Sequence, residues 1–300
     1  MHLVIGAGAI GSTIARRLAD AGEPVRVVTR SGSGPVHDRV ERVAADAGDK
    51  RSLVRLAEGV VAVYNCANPP YHTWPTDWPP MAEAMLAAAE ASGAPLVITG
   101  NLYVYGPVDR PMTEDMPLRA PTVKGRVRIK MWEDALAAYH SGRISGVTEV
   151  RGSDYLSPRY SAIEMMMPGL TTGRTVWLPG NVDNPHTFTY TGDMAAAMIA
   201  LGRDPRAWGR AWHVPSPPPM TLRQLTEKVA AIGGYAMPKV RAYPKAAIRA
   251  AGLFDRRTRG FVEMSYQWER PFILDSTLTG KTFGLTATDV DEAIRASIPA

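Results

Sequence analysis

His2-Leu-Val-Ile-Gly-Ala-Gly-Ala-Ile-Gly11 decides how the rest of this chain is read. The apolar run His2–Ile5 suits a buried strand, and Gly6, Gly8 and Gly11 follow it directly as Gly-x-Gly-x-x-Gly. Behind them Ile10, Ile14 and Leu18 recur at helical spacing, with Arg16, Arg17 and Asp20 between them, until Gly22 stops the helix. Strand, glycine turn and helix in that order form the phosphate-binding corner of a dinucleotide site. Glycine permits the tight turn and a close backbone approach to a pyrophosphate, and the helix N-terminus offers positive potential. Gly6, Gly8, Ala9, Ile10 and Gly11 are therefore expected to hold a cofactor. A glycine turn that merely packs against its sheet is the plain alternative.

Outward from that corner the pattern repeats. Val25–Val28 and Val40–Val43 read as strands, Ser52–Glu58 as a helix and Val60–Tyr64 as a strand. An alanine-rich helix over Met81–Ser92 and a strand over Pro95–Thr99 follow. Alternation at this pitch predicts an α/β fold, a doubly wound parallel Rossmann sheet with helices on both faces. The second half is broken into short pieces by Pro168, Pro179, Pro185, Pro215 and Pro217–Pro219. One helix is clear there, from a Thr221 N-cap through Leu222, Leu225, Val229 and Ile232 to Gly233-Gly234, and another is expected over Asp289–Ser297. Residues 1–155 are thus read as the Rossmann dinucleotide-binding lobe, completed by about 186–205. Residues 156–300 are read as a smaller, mixed substrate-binding lobe.

Composition narrows the function. Three hundred residues, 45% of them hydrophobic, can bury a large core, and a net charge of +5 is mild. The cations are scattered, which argues against nucleic acid. Two clusters stand out, Lys124–Lys130 and Arg256-Arg257-Thr258-Arg259, and the second reads as a solvated loop. Cys66 is the single cysteine, so an internal disulfide and a cysteine zinc cluster are excluded, no metal is expected, and a reducing cytoplasm is the natural compartment. The chain has no run of eighteen apolar residues, so no membrane span is expected. A first strand beginning almost at Met1 leads us to expect no signal or transit peptide. Met165-Met-Met167 reads as core packing.

The second strand ends Val27-Val28-Thr29-Arg30-Ser31. An NAD site usually places a carboxylate here against the adenosine ribose. Thr29 lacks that charge, whereas Arg30 can form paired bonds to a 2′-phosphate, so Thr29, Arg30 and Ser31 point to NADP over NAD. An exposed turn arginine is the plainer reading.

Further segments carry a resemblance. Asp46-Ala47 follows the third strand, and Tyr64-Asn-Cys-Ala67 ends the fourth. Val97-Ile-Thr-Gly-Asn-Leu-Tyr-Val-Tyr-Gly106, Val150-Arg-Gly-Ser-Asp-Tyr-Leu-Ser-Pro158, His186-Thr-Phe-Thr-Tyr-Thr-Gly-Asp193 and Phe283-Gly-Leu285 complete the set. Together, over nearly the whole chain, they resemble the NAD-dependent epimerase/dehydratase-like proteins, extended or atypical short-chain dehydrogenase/reductases. The resemblance implies adenine contacts at Asp46 and Ala47, a segment under the cofactor at Cys66, Ala67 and Asn68, and a further cofactor contact at Ser153.

The departures matter as much. The family's chemistry rests on a Ser or Thr that orients a carbonyl, a Tyr general acid/base, and a Lys four residues later that holds the ribose. Counting back from Gly106 puts Asn101 at the first position, and aligning Lys124-Gly-Arg-Val-Arg128 puts Lys124 and Arg128 at the others. Arg128 can keep the ribose role, and Lys124 can serve as general base or as cationic electrophile. Tyr103, two residues along the same strand, is expected to share Asn101's face and is a replacement acid. The literal Tyr-x-x-x-Lys at Tyr235–Lys239 contains Pro238 after a glycine stop and is discounted.

The loop Asn68–Pro80 is aromatic and proline-stiffened, and reads either as a wall over an apolar substrate or as packing. The first option makes Tyr71, His72 and Trp74 substrate-binding, with Asp154, Tyr155 and His186. Asp154 and Pro185-His186 replace the family's Asn and Arg-Asp, so a diphosphate is disfavoured and a small-molecule carbonyl or alcohol preferred. The leading expectation is an NADP-binding oxidoreductase or epimerase/dehydratase-like enzyme with a rebuilt triad. An NADP-binding regulator without hydride transfer, or a redox-neutral enzyme, stands against it. The resemblance implies a possible homodimer through the helices near Met81–Ser92 and Lys130–Tyr139.

Overall fold

The computed structural model describes residues 1–244 and 256–299. Its first half alternates as the apolar pattern requires: β1 (His2–Ile5), α1 (Ala9–Asp20), β2 (Val25–Thr29), β3 (Val40–Ala44), α2 (Lys50–Leu56), β4 (Ala62–Asn65), α3 (Trp74–Ser92) and β5 (Leu96–Asn101). A 3-10 turn (Leu102–Tyr105), α4 (Val123–His140) and β6 (Val147–Gly152) follow. Then come β7 (Asp154–Leu156), α5 (Ala162–Thr171), β8 (Val176–Leu178), β9 (Phe188–Tyr190), α6 (Thr191–Arg203), β10 (Arg210–His213), α7 (Leu222–Gly233) and β11 (Val240–Ala242).

Seven strands form one sheet in the order β3-β2-β1-β4-β5-β6-β10. The pairs β1–β2, β2–β3, β1–β4 and β4–β5 are parallel. The chain builds outward from β1 to β3, then returns to the other side of β1 with β4. That reversal is the point beyond whose strand ends doubly wound sheets bind ligands. Val4, Ile5, Val63 and Tyr64 are fully buried, as strands covered on both faces require.

The chain divides into two compact units. The first comprises Met1–Val104, Val123–Arg151 and Met194–Trp212 and holds nearly all of the large sheet. The second comprises Tyr105–Thr122, Gly152–Asp193 and His213–Ala300, with the two-stranded sheets β7–β9 and β8–β11. Its core gathers Leu156, Ile163, Met166, Phe188, Leu225 and Ile294, so the middle methionine of the triplet is core. Thr221 and Gln224 cap α7 reciprocally, each side chain accepting from the other's backbone N–H, and Gly234 ends it at φ +71°.

Three segments differ from what the sequence predicts. Residues 74–80 are not loop: α3 begins at Trp74, seven residues before its expected start. Pro75 lies in the first turn, where the amide has no helical partner to lose. Pro79 and Pro80 are inside the helix, at a usual cost of about 3 kcal/mol or more for an interior proline. The carbonyls they leave unbonded belong to the exposed residues Pro75 and Thr76, where water can satisfy them. Burial of Trp74 and Trp78 against Met131 offsets the rest. Second, the strand carrying Asn101 ends there, so Tyr103 sits in a 3-10 turn and strand alternation does not set its direction. Third, Arg256–Glu263 is helical rather than a loop. Among the described residues no helix is long and apolar enough to cross a membrane.

Candidate functional site

The three glycines after β1 do three different things. Gly6 has φ +100°, and a Cβ there would lie 2.6 Å from the backbone of Cys66 and Ala67 beyond β4. A Cβ on Gly11 would lie 1.9 Å from the Gly6 carbonyl oxygen, so the first turn of α1 closes onto the glycine turn. Gly8 differs: a Cβ would meet nothing within 4 Å. Two glycines make the corner close, and the middle one leaves its outer side open. Gly6 N–H donates to Val28 O, and Cys66 N–H donates to Ile5 O, which fixes the turn to the neighbouring strands.

Helix α1 begins here without a side-chain cap and without an acidic residue in its first turn. By contrast, Asp49 caps α2 by accepting from Arg51 and Ser52. The uncapped end presents its first amides, at Ala9, Ile10 and Gly11, with the dipole's positive potential. Open side, uncapped amides and absent carboxylate suit the pyrophosphate of a dinucleotide.

At the end of β2, Thr29 Oγ1 donates to Ser33 O at 2.9 Å, and Ser31 Oγ to Ser33 Oγ at 2.9 Å. Arg30 is exposed and makes no hydrogen bond or ion pair to a described residue. Asp46 is exposed and closes a local turn, its carboxylate accepting from Gly48 N–H, beside half-buried Ala47. Cys66 and Ala67 lie against Gly6, and Asn68 beyond them is exposed. Burial pushes the Cys66 thiol up to about 12, the Thr99 hydroxyl at 3.9 Å opposing it weakly.

Lys124 and Arg128 lie one turn apart on α4, and both are buried, 4% and 3% exposed. The Lys124 Nζ stands 4.5 Å from the centre of the Tyr71 ring. Tyr71 meets Tyr103 edge-on at 6.4 Å and Trp74 at 5.1 Å. Lys124, Tyr71 and Tyr103 thus form one group, backed by Trp74. His72 is exposed. Asn101, half-buried at the end of β5, accepts from Tyr103 N–H through Oδ1 at 3.1 Å.

The Arg128 guanidinium has partners that sequence reading did not supply. It donates through Nη2 to Thr99 O, lies 5.1 Å from the Trp78 ring, and approaches Glu149 Oε1 at 3.8 Å. Glu149 in turn accepts from Arg151 Nε at 2.6 Å through its other oxygen. Glu149 and Arg151 are each 1% exposed. The available signal was their i,i+2 spacing on a valine-rich strand, which places two charges on one face of β6.

The remaining expected residues belong to the second unit. The Ser153 N–H donates to Thr189 Oγ1, while its own hydroxyl is buried without a partner among the described residues. His186 is buried, with Nε2 2.8 Å from Asp154 Oδ2, and its ring stacks on Trp268 at 4.5 Å and 5°. Phe188 and Phe272 close the box at 4.8 and 5.1 Å. Tyr155 is half-buried, its ring coming within 3.2 Å of where a Cβ on Gly152 would stand. Tyr235–Lys239 is non-helical, so it presents no face of paired side chains.

Comparison with known proteins places this architecture. A match to the NAD dependent epimerase/dehydratase family spans residues 2–214. No curated protein sequence gives a significant match. Among solved structures, MoeE5 in complex with UDP-glucose and NAD superposes with a TM-score of 0.80 at 19% identity, over 99% of this chain and 96% of that one. The UDP-glucose 4-epimerase of Thermotoga maritima with UDP-glucose gives 0.80 at 16% identity, over 99% and 97%. The dTDP-glucose 4,6-dehydratase DesIV of Streptomyces venezuelae with NAD bound gives 0.77 at 19% identity, over 99% and 95%. Identities this low establish a shared fold. The family match is what decides membership: it runs from β1 past β10, and this protein belongs to the NAD dependent epimerase/dehydratase family.

Proposed function

We propose that this family member binds NADP and acts on a small organic carbonyl or alcohol, with Asn101, Lys124 and Arg128 in place of the Ser/Tyr/Lys set and Tyr103 beside them. The observation that carries the reading is the burial of two cations one turn apart on α4, with the Lys124 ammonium on the Tyr71 ring that also meets Tyr103. Like charges at this spacing weaken a helix, and buried charge is expensive, so a plain surface helix gives no reason for the arrangement. A site that handles oxygen does.

When bound, the nicotinamide would supply or accept the hydride. Lys124 then donates to the carbonyl oxygen, where charge develops, or takes the proton of an alcohol. Asn101 has its Oδ1 occupied by Tyr103 N–H, which leaves its amide N–H donors for a substrate oxygen. Arg128 holds the ribose side of the cofactor, its guanidinium steadied by Thr99 O. Tyr103 is the reserve proton donor. Gly6, Gly8, Gly11 and the first amides of α1 take the pyrophosphate.

Arg30 supports NADP over NAD. It is exposed and without a partner in the described residues, at a strand end where no carboxylate stands. The NAD carried by MoeE5 and by DesIV makes NAD the rival cofactor. Sugar nucleotides are likewise the rival substrates, since MoeE5 and the Thermotoga maritima epimerase carry UDP-glucose. The Asp154 carboxylate argues against a diphosphate at its position, by like-charge repulsion. Residues 156–300 are assigned to substrate binding together with Asp154 and Tyr155, and Tyr71 and the exposed His72 are assigned as contacts ahead of α3, whereas Trp74 and His186 are buried in packing. A homodimer through α3 and α4 fits the family.

A second reading keeps the cofactor and drops the chemistry, making the protein a binding regulator. It is favoured by the commitments of Arg128 to Thr99 O, Glu149 and the Trp78 ring. One pair of measurements separates the two: NADPH binding by thermal shift, and NADPH consumption over a panel of carbonyls. Binding with turnover supports the enzyme. Binding without turnover on any carbonyl supports the regulator, and tighter binding of NAD than NADP removes the cofactor assignment.

A further inference from the structure

We propose that Glu149 is the positioning residue of the cofactor's nicotinamide half, acting through Arg128, and that Gly100 exists in its present form to make room for it. The inference rests on the cofactor reading above. Glu149 is 1% exposed on β6 and uses its two oxygens separately. Oε2 takes the Arg151 Nε–H at 2.6 Å, and Oε1 lies 3.8 Å from Arg128 Nη2. The same Nη2 donates to Thr99 O on β5. Three elements therefore converge on one guanidinium: the helix that carries it, the strand whose carbonyl it meets, and the next strand, whose carboxylate attracts it.

A buried carboxylate between two buried guanidiniums sets their mutual distance, because in a low dielectric the arginines repel strongly once the negative charge between them is gone. The adjacent strand is shaped to admit it. A Cβ on Gly100 would stand 2.7 Å from Glu149 Cγ, 2.9 Å from Glu149 Cδ and 2.8 Å from Arg151 Cγ. Gly100 is buried within β5, where glycine ordinarily weakens a strand and often marks a close approach by another group. Here the close group is the Glu149–Arg151 pair.

Glu149→Gln keeps the shape and removes the charge. Gly100→Ala keeps every charge and displaces the carboxylate. Each is titrated with NADPH and, separately, with 2′,5′-ADP, which fills the adenosine end and lacks the nicotinamide ribose. Both variants should lose about tenfold or more in NADPH affinity, about 1.4 kcal/mol, with 2′,5′-ADP affinity unchanged. Equal losses for both ligands would make Glu149 a general structural residue and overturn the proposal, as would unchanged NADPH binding in both variants. If Glu149→Gln does not fold, Gly100→Ala carries the same two outcomes. Failure of the unsubstituted protein to bind NADPH overturns the cofactor reading itself, and this inference with it.

Discussion

The Gly6–Gly11 corner and the start of α4 are built on opposite principles. The corner works by omission: no side chains on three residues, no cap on α1 and no acid in its first turn. The α4 edge works by addition, packing Lys124, Arg128, Glu149 and Arg151 into buried positions with Tyr71 and Trp78 against them. An omission is written in consecutive residues. An added network is assembled from α3, α4, β5 and β6, far apart in the chain.

The sharpest way to break this contrast is to attack the network. Glu149→Ala withdraws the carboxylate from two buried guanidiniums, and should destabilise the protein by about 3–5 kcal/mol in urea unfolding. A loss below about 1 kcal/mol would show the network to be loosely held, and the two regions less different than they look. Gly11→Ala comes next. Its Cβ would meet the Gly6 oxygen at 1.9 Å, so overpacking should cost about 1–3 kcal/mol or more and reduce cofactor binding as well. Arg30→Ala tests the proposed adenosine end, and should weaken NADP binding by about 1.5–3 kcal/mol, roughly ten- to hundredfold, with NAD nearly unchanged. Equal losses for both cofactors would deny Arg30 a phosphate-reading role.

Gly8→Ala sharpens the corner itself. Its φ of −70° suits alanine and a Cβ would meet nothing within 4 Å, so thermal stability should hold or rise by less than about 1 kcal/mol. NADPH affinity should nevertheless fall, because the open side is where a pyrophosphate would come. The smallest effect concerns Cys66. With its thiol pushed up to about 12, little thiolate is present near pH 8, and alkylation by iodoacetamide should be slow. Fast alkylation of native protein would contradict the close packing behind Gly6.

The same contrast separates the features that local sequence announces from those that only tertiary packing creates. The strand–turn–helix start, the strands through β5 and the Thr221-capped helix were readable because period, cap and stop are local signals. Residues 74–80 were misread because local proline statistics lost to the burial of Trp74 and Trp78, a tertiary effect. Tyr103 was misplaced because nothing in Asn101-Leu-Tyr-Val-Tyr announces that the strand gives way to a 3-10 turn. Lys124 and Arg128 were placed by alignment with the family's pattern; the helix alone, with its weak amphipathic order, gives no sign that they are buried. Glu149 and Gly100 were missed altogether. Each looks ordinary in its own strand, and the pairing of the two appears when β5 and β6 lie side by side.

Whether the reacting end of this site lies at Lys124, as proposed, is decided by NADPH consumption in Lys124→Met set beside the unsubstituted protein. The variant keeps the length of the side chain and removes the ammonium, so packing against Tyr71 is retained while the charge is lost. The native protein should consume NADPH with at least one carbonyl of the panel, and the variant should bind NADPH with unchanged affinity and consume none. Turnover by Lys124→Met equal to that of the native protein would contradict this placement.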